Sequence, residues 1–417
     1  MWGARTRIIA VLARLRLGRR RSGSTDALLS VLPDSALVPL KRDGLDPVAE
    51  LGDRRAVEPV SRMKLPFGLR AWLVTGYEET KAVLSNAPAF SSDFGNLVGT
   101  VGITAEQNPG GLGFTDPPDH TRLRRLAPRI EAIVAGQLDE MAAAAAAGEP
   151  VDLVQSFALP IPSLTICELL GVPYSDRAEF QRLSTTRFDL LGGVTGSLGA
   201  ISESMEYLLK IVQIQRGEPG DGLLGRLVRE HGDNLSDHEL AGLADGLLTG
   251  GLETTASMLA LGTIVLMQHP ESREAIREGD EAVDPFVDEL LRYLTVVQVA
   301  FPRFARERVK IGGATIEEGD IVLCSLSAAN RDGNQDDFEP GRDARPHLAF
   351  GHGLHRCIGA ELARMELRAA YPALVRRFPA IRLGTEPSEL PFRRLSFVFG
   401  VDTLPVDLGV TVPRPTP

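Results

Sequence analysis

Three cysteines in 417 residues are too few, and too irregularly spaced, for a disulfide framework. None is paired at zinc-type spacing, so no zinc module is expected. Positive charge is in short supply as well: 45 Lys and Arg stand against 55 Asp and Glu, a formal net charge of -10. That balance argues against non-specific nucleic-acid binding and for solubility. No uninterrupted apolar run approaches the roughly 20 residues of a membrane-spanning helix. What is present is a chain that is 43% hydrophobic, enough for a large core in one big domain or two smaller ones. The sparse, unpaired cysteines fit a reducing cytoplasm.

The three cysteines sit in different settings. Cys167 lies in an apolar helical run from Leu164 to Leu170, and Cys324 follows the strand-like Ile321-Val322-Leu323; both read as core. Cys357 instead lies among glycines and basic residues, in Phe350-Gly351-His352-Gly353-Leu354-His355-Arg356-Cys357-Ile358-Gly359. Gly351 and Gly353 permit backbone conformations that a Cβ would block. From Ile358 the pattern turns helical, with Ile358, Leu362 and Met365 on an expected buried stripe. Cys357 then stands at a helix N-terminus, where unpaired N–H groups and the helix dipole favour a thiolate. Such a thiolate suits an iron ligand or a nucleophile. Gly359 lets a flat ligand lie close to the backbone.

A second stretch conflicts with its surroundings. Ser236 to Gln268 reads as the longest apolar helix, opened by a Ser236/Glu239 capping box and stopped before Pro270. Its middle holds Gly250-Gly251-Leu252-Glu253-Thr254-Thr255. Two glycines in a helix interior cost about 1 kcal/mol each against alanine. Local conflict of this kind is expected at functional sites. Thr254 Oγ can bond a carbonyl one turn earlier, and Glu253 can relay protons. A helix crossing over small residues is the bland alternative.

Other patterns are weaker alone. Asp116 to Leu126 opens a helix on which His120 and Arg124 share a face, suited to an anion. Glu289 and Arg292 can pair on a helix spanning Val283 to Leu294. Helices are also expected over 78–84, 130–147, 157–170, 176–190 and 200–215, with a Gly-rich turn over 191–199. Strands are expected at 71–75 and 321–325, with a hairpin over 309–319 and a last strand pair around 395–406. Residues 91–114 read as a long Gly-rich loop. Residues 1–35, with seven arginines between Arg5 and Arg21, read as a disordered basic extension rather than a membrane-surface helix.

The Cys357 stretch resembles the haem-binding loop of the cytochrome P450 family, Phe-Gly-x-Gly-x-His/Arg-x-Cys-x-Gly, at every fixed position. Gly250 to Thr255 resembles that family's oxygen-activation motif, and Glu289-x-x-Arg292 its Glu-x-x-Arg motif. The resemblance runs from about 36 to 406. It implies a mainly α cytochrome P450 fold over 36–410, a triangular helical domain with a small β subdomain, then a tail over 411–417. It further implies haem b, iron protoporphyrin IX, with Cys357 as the iron ligand and Phe350, Gly351 and Gly359 around it. His120, Arg124, Arg303 and His355 would hold the propionates, and Thr254 and Glu253 would deliver protons. Leu247, Gly250, Gly251, Val296, Val299 and Phe397 would line the substrate pocket, and Glu289, Arg292 and Arg342 would brace the haem loop. The activity implied is O2-dependent hydroxylation or epoxidation of an apolar small molecule: a secondary metabolite, steroid, terpenoid or fatty acid. A cytoplasmic monomer would receive electrons from a separate ferredoxin and its reductase, with no nucleic acid and no membrane contact expected.

The chain also departs from the family. It passes almost directly from Leu126 to Ala127-Pro128-Arg129, without the usual Phe-containing segment, and the connector from Asp332 to Pro340 is short. The alternatives kept are oxidative coupling or peroxide chemistry on the same haem-thiolate centre, and a non-catalytic haem or ligand binder.

Overall fold

A computed structural model describes residues 33–65, 70–91, 127–172, 176, 194–333, 335–342, 346–393 and 395–409. Its main helices are α1 (Tyr77–Ser85), α2 (Ala127–Ala146), α3 (Pro160–Leu170), α4 (Val194–Gly217), α5 (Leu223–His231), α6 (Asp237–Gln268), α7 (Pro270–Glu278), α8 (Val283–Leu294) and α9 (Ala360–Arg377). Its main strands are β1 (Val60–Lys64), β2 (Arg70–Val74), β3 (Phe90–Ser91), β4 (Val151–Asp152), β5 (Arg303–Ala305), β6 (Val309–Ile311), β7 (Ala314–Ile316), β8 (Ile321–Cys324), β9 (Arg382–Leu383) and β10 (Pro405–Asp407). Helix thus dominates, as the sequence reading expects.

Helix α6 is the axis of the molecule. The Ser236 hydroxyl accepts the Glu239 N–H at 3.3 Å, and Glu239 accepts the Ser236 N–H at 2.8 Å, so the capping box is formed in full. His269 leaves helical geometry at the other end, and Pro270 opens α7, where a missing N–H costs nothing. Although no uninterrupted apolar run reaches membrane length, α6 is long and apolar enough to cross a bilayer, with a mean hydropathy of 1.3 in its most apolar window. That window is 78% buried inside the protein, against α3, α4, α8 and α9, so α6 is a core helix.

The packing of α6 on α9 turns on one glycine. The Tyr371 hydroxyl of α9 donates to the Met258 carbonyl of α6 at 2.5 Å. A Cβ at Gly262 would overlap that hydroxyl and come within 2.6 Å of Leu290 Cδ2. Phe286 of α8 meets the Tyr371 ring edge-on at 5.5 Å, so three helices converge there. The stripe of α9 that faces this core is Leu367, Ala370, Tyr371, Leu374 and Val375. The expected stripe was different. Ile358 precedes the helix and is exposed, and Leu362 and Met365 are half-buried, because α9 begins at Ala360 and its phase is set by the deeper residues.

The β subdomain is a five-stranded sheet in the order β1-β2-β8-β5-β3. Strand β8 runs parallel to β2, Ile321 opposite Ala71, and antiparallel to β5, Val322 opposite Arg303. The sheet therefore joins segments about 250 residues apart and carries Arg303 on β5, beside its central strand β8. The hairpin β6–β7 forms as expected, with Gly312 and Gly313 at positive φ in its turn.

Two expectations change. Helix α4 starts at Val194, inside the stretch read as a Gly-rich turn, because propagation of a long helix outweighs about 1 kcal/mol per glycine. The final strand pair is reduced to isolated bridges, Val297 with Val398 and Phe392 with Val401; β10 pairs instead with β9 and β4. Of the helix expected over 176–190, only Asp176 lies among the described residues.

Candidate active site

The Cys357 loop leaves the core at Phe350 and re-enters at Ala360. Gly351 and Gly353 both adopt positive φ, 71° and 72°. Gly353 also has no room for a side chain, since a Cβ there would lie 2.9 Å from Ser85 Cα at the end of α1. The turn is closed by the Cys357 N–H donating to the Phe350 carbonyl at 2.8 Å. Arg364 lies 4.8 Å over the Phe350 ring and pairs with Asp288 at 3.0 Å, while the His347 ring lies 5.7 Å from that of Phe350. Contact with His347, then with Arg364, holds the Asp288 carboxyl down at about 2.

Cys357 is reachable by solvent, whereas Cys167 and Cys324 are buried as expected. Burial drives the Cys324 thiol to about 12. At Cys357, too, desolvation raises the thiol pKa and outweighs the Gly359 N–H, Arg356 and Arg364, which all act to lower it. The Gly359 N–H and both arginines thus favour the thiolate, but less than desolvation opposes it. Coordination to a metal cation would complete the deprotonation, since a coordinating thiol is deprotonated outright.

Helices α6 and α9 bring the two motifs together. Glu366 on α9 is buried and in hydrogen-bonding contact with Thr165 of α3 and Thr255 of α6. Desolvation raises its carboxyl to about 8, against the smaller lowering effect of both threonines. Burial without a charged partner among the described residues, rather than the threonines, is what favours the protonated acid. Because the folded state holds this proton above the unfolded carboxyl's ordinary value near 4.5, stability falls as pH rises from about 4.5 to about 8. Glu366→Gln should flatten that slope in urea midpoints measured across the window; an unchanged slope would contradict the protonated acid.

Next to Thr255, the Thr254 hydroxyl donates to the Gly250 carbonyl at 2.6 Å while the helix continues uninterrupted. The paired glycines have separate surroundings. A Cβ at Gly250 would meet nothing within 4 Å, so that position opens to space. A Cβ at Gly251 would lie 3.1 Å from Ile166 Cδ1, so Gly251 serves the crossing of α3 and α6. Leu247 is half-buried one turn earlier. Glu253 is buried and ion-paired with Arg393, a partner the sequence reading did not find.

Val296 is buried in the main core, and Val299 is buried as well. Val297 and Ala300 are the residues of this segment left half-open, and Phe397 is exposed. The segment is not a regular strand, so simple alternation does not predict its faces. Glu289 receives both Arg292 Nε and Nη2 at 2.8 Å and Arg342 Nε at 3.1 Å, the triad expected. His120 and Arg124 lie outside the described residues.

These residues fit a haem. Arg303 is buried, donates to the Phe301 carbonyl at 2.7 Å, and has no ion-pair partner among the described residues; desolvation lowers its pKa. The same charge, after burial, lowers the pKa of His355, so the two are neighbours on the cysteine side. A propionate would supply the anion that a buried guanidinium needs. Ile358, Leu354 and Phe301, 77% exposed, leave apolar surface that a macrocycle would cover.

Comparison with known proteins gives the same answer. A model of the cytochrome P450 family matches residues 212–400. Cytochrome P450-SU2 of Streptomyces griseolus is 39% identical, over 92% of this chain and 99% of its own. Mycinamicin IV hydroxylase/epoxidase of Micromonospora griseorubida is 38% identical, over 87% of this chain and 96% of its own. Among solved structures, OxyE, a cytochrome P450 involved in teicoplanin biosynthesis, superposes with a TM-score of 0.78 at 37% identity, covering 90% of this chain and 100% of that one. Sequence relatives and structural neighbours agree over nearly the whole chain, and the chain belongs to the cytochrome P450 family as a haem b-dependent monooxygenase.

Proposed function

We propose that the chain inserts one atom of O2 into a C–H or C=C bond of an apolar secondary metabolite, in the cytoplasm, with electrons from a separate ferredoxin and its reductase. The relatives named for mycinamicin IV and nocardicin C support the metabolite class. The exposed apolar ring of Phe397 supports an apolar substrate.

The observation that carries this reading is the double tie between the cysteine helix and the glycine–threonine turn. Glu366 contacts Thr255, and Tyr371 bonds Met258, so α9 crosses α6 beside Thr254. In this reading Cys357 is the iron ligand, with Phe350, Gly351 and Gly359 forming its cradle. Arg303 and His355, with His120 and Arg124, hold the propionates. Haem b held by a cysteine thiolate supplies the activation of dioxygen. Substrate, O2, two electrons and two protons become oxygenated product and water. Side chains of this chain deliver the protons. Glu253 takes one from solvent, and Thr254 Oγ releases Gly250, holds a water and hands the proton on. Leu247, Gly250, Val297 and Phe397 face the substrate, and the Glu289, Arg292 and Arg342 triad braces the approach to the loop.

The first test is spectroscopic. The purified chain is reduced, exposed to carbon monoxide and scanned; a strongly red-shifted Soret band marks thiolate-ligated iron, and its absence defeats the reading. Thr254→Ala is expected to keep that band and to keep consuming electrons while product per electron falls roughly tenfold or more. Full coupling in that variant would remove Thr254 from the proton path.

A further inference from the structure

Glu253 is held by a residue from the far end of the chain. Its Oε1 is ion-paired with Arg393 Nη1, and the same guanidinium reaches Asp402 Oδ1 through Nε at 2.9 Å. The two carboxylates are unlike. Glu253 is 9% exposed and lies within α6, while Asp402 is 63% exposed at the surface. Arg393, 22% exposed, spans the boundary between them.

The arginine is set in place by its own loop. The Arg393 N–H donates to the Gly400 carbonyl at 2.8 Å, the Asp402 N–H donates to the Pro391 carbonyl at 3.1 Å, and the Phe392 and Phe399 rings stack at 5.6 Å. Gly400 lets this loop lie directly on α6. A Cβ there would sit 2.7 Å from Ser257 Oγ and 3.2 Å from Arg393 Nη1.

We infer that Arg393 is a positioning residue that holds Glu253 out of the proton path, and that Asp402 sets how easily it lets go. This inference rests on the reading of Glu253 as the proton carrier. An ion-paired carboxylate is a poor proton acceptor. To collect a proton for Thr254, Glu253 must turn from the guanidinium. A half-buried guanidinium left without an acceptor would make that turn costly. Asp402 gives the guanidinium a second acceptor, so it remains paired while Glu253 is released. Arg393 stays charged throughout; the proton passes from water to the Glu253 carboxylate and then to Thr254 Oγ.

The test is the pH profile of kcat in three variants, each confirmed by its carbon monoxide band to hold thiolate-ligated haem. Arg393→Gln removes the cation, so the limb due to Glu253 should move up by roughly one to three pH units. Asp402→Asn removes the competing anion, tightens the hold on Glu253 and should move the limb down by less, with a larger solvent isotope effect. Substrate KM should stay within twofold in both, and Arg393→Lys should restore most of the wild-type profile. A merely structural brace would shift neither limb, or both in the same direction, and either result overturns the inference. If Arg393→Gln fails to hold haem, Asp402→Asn at the surface decides alone. Glu253→Gln separates the layers: loss of the limb there without shifts in the other two defeats only the role of Arg393. A limb that persists in Glu253→Gln defeats the proton-carrier reading itself.

Discussion

Cys357→Ser is expected to retain helical circular dichroism and lose both the red-shifted carbon monoxide band and all substrate oxidation. Serine keeps the volume and the main-chain bond from residue 357 to the Phe350 carbonyl, so the loop has no reason to collapse. A neutral hydroxyl is a far weaker iron ligand than a thiolate. No other cysteine can substitute: Cys167 and Cys324 are buried, and the Cys324 thiol stays protonated up to about 12. Desolvation pushes the free Cys357 thiol upward, so under the proposed ligation a bound iron would supply the thiolate. Haem loading of the apoprotein should therefore release a proton, measurable by titration in weak buffer. A red-shifted band in Cys357→Ser would assign the ligand elsewhere.

Glu289→Gln is expected to cost about 3–5 kcal/mol of stability, the range for removing one partner of a buried ion pair. Arg292 and Glu289 are almost fully buried, and Arg342 is largely so. Glu289 also accepts the Glu339 N–H at 2.8 Å. Arg292 binds the carbonyls of Asn330, Gln335 and Asp337 at 2.9, 2.6 and 2.8 Å. Without the carboxylate, two guanidinium groups remain beside one another in the segment that leads to the cysteine loop. Urea unfolding should show the loss, and haem should dissociate at lower denaturant than in the wild type. The exposed Arg382–Asp407 pair is the control, and its disruption should cost about 0–1 kcal/mol. Equal effects in the two variants would mean that the triad is not a brace.

Local features were legible where local physics decides them. The α6 capping box needs only Ser236 and Glu239, and the Cys357 loop needs glycines at set positions. The spacing of Glu289 and Arg292 gave only a pair; Arg342 and the burial of that pair came from the family resemblance. The partner of Glu253 was not: Arg393 is 140 residues away, and no periodicity links it to α6. Glu366 was missed because a lone acid in a helix reads as surface; only the folded chain shows it against Thr165 and Thr255. The stripe on α9 was misread because Ile358, an apolar residue at the ligand-facing end, looks like core in a one-dimensional pattern. The faces of Val296, Val297 and Val299 were not legible because an irregular segment has no dependable alternation.

Helix α6 also bears on how the chain is made. It is the one described helix long and apolar enough to cross a bilayer, yet α9, which covers one of its sides, is translated about 90 residues later. At about 5–20 residues per second, that flank stays uncovered for roughly 5–20 s on the ribosome. During that interval its length and mean hydropathy match those of a membrane anchor, and the acids Asp245 and Glu253 within it set it apart. Yield in a heterologous host should therefore respond to chaperone supply and to slower growth more than to the strength of the promoter.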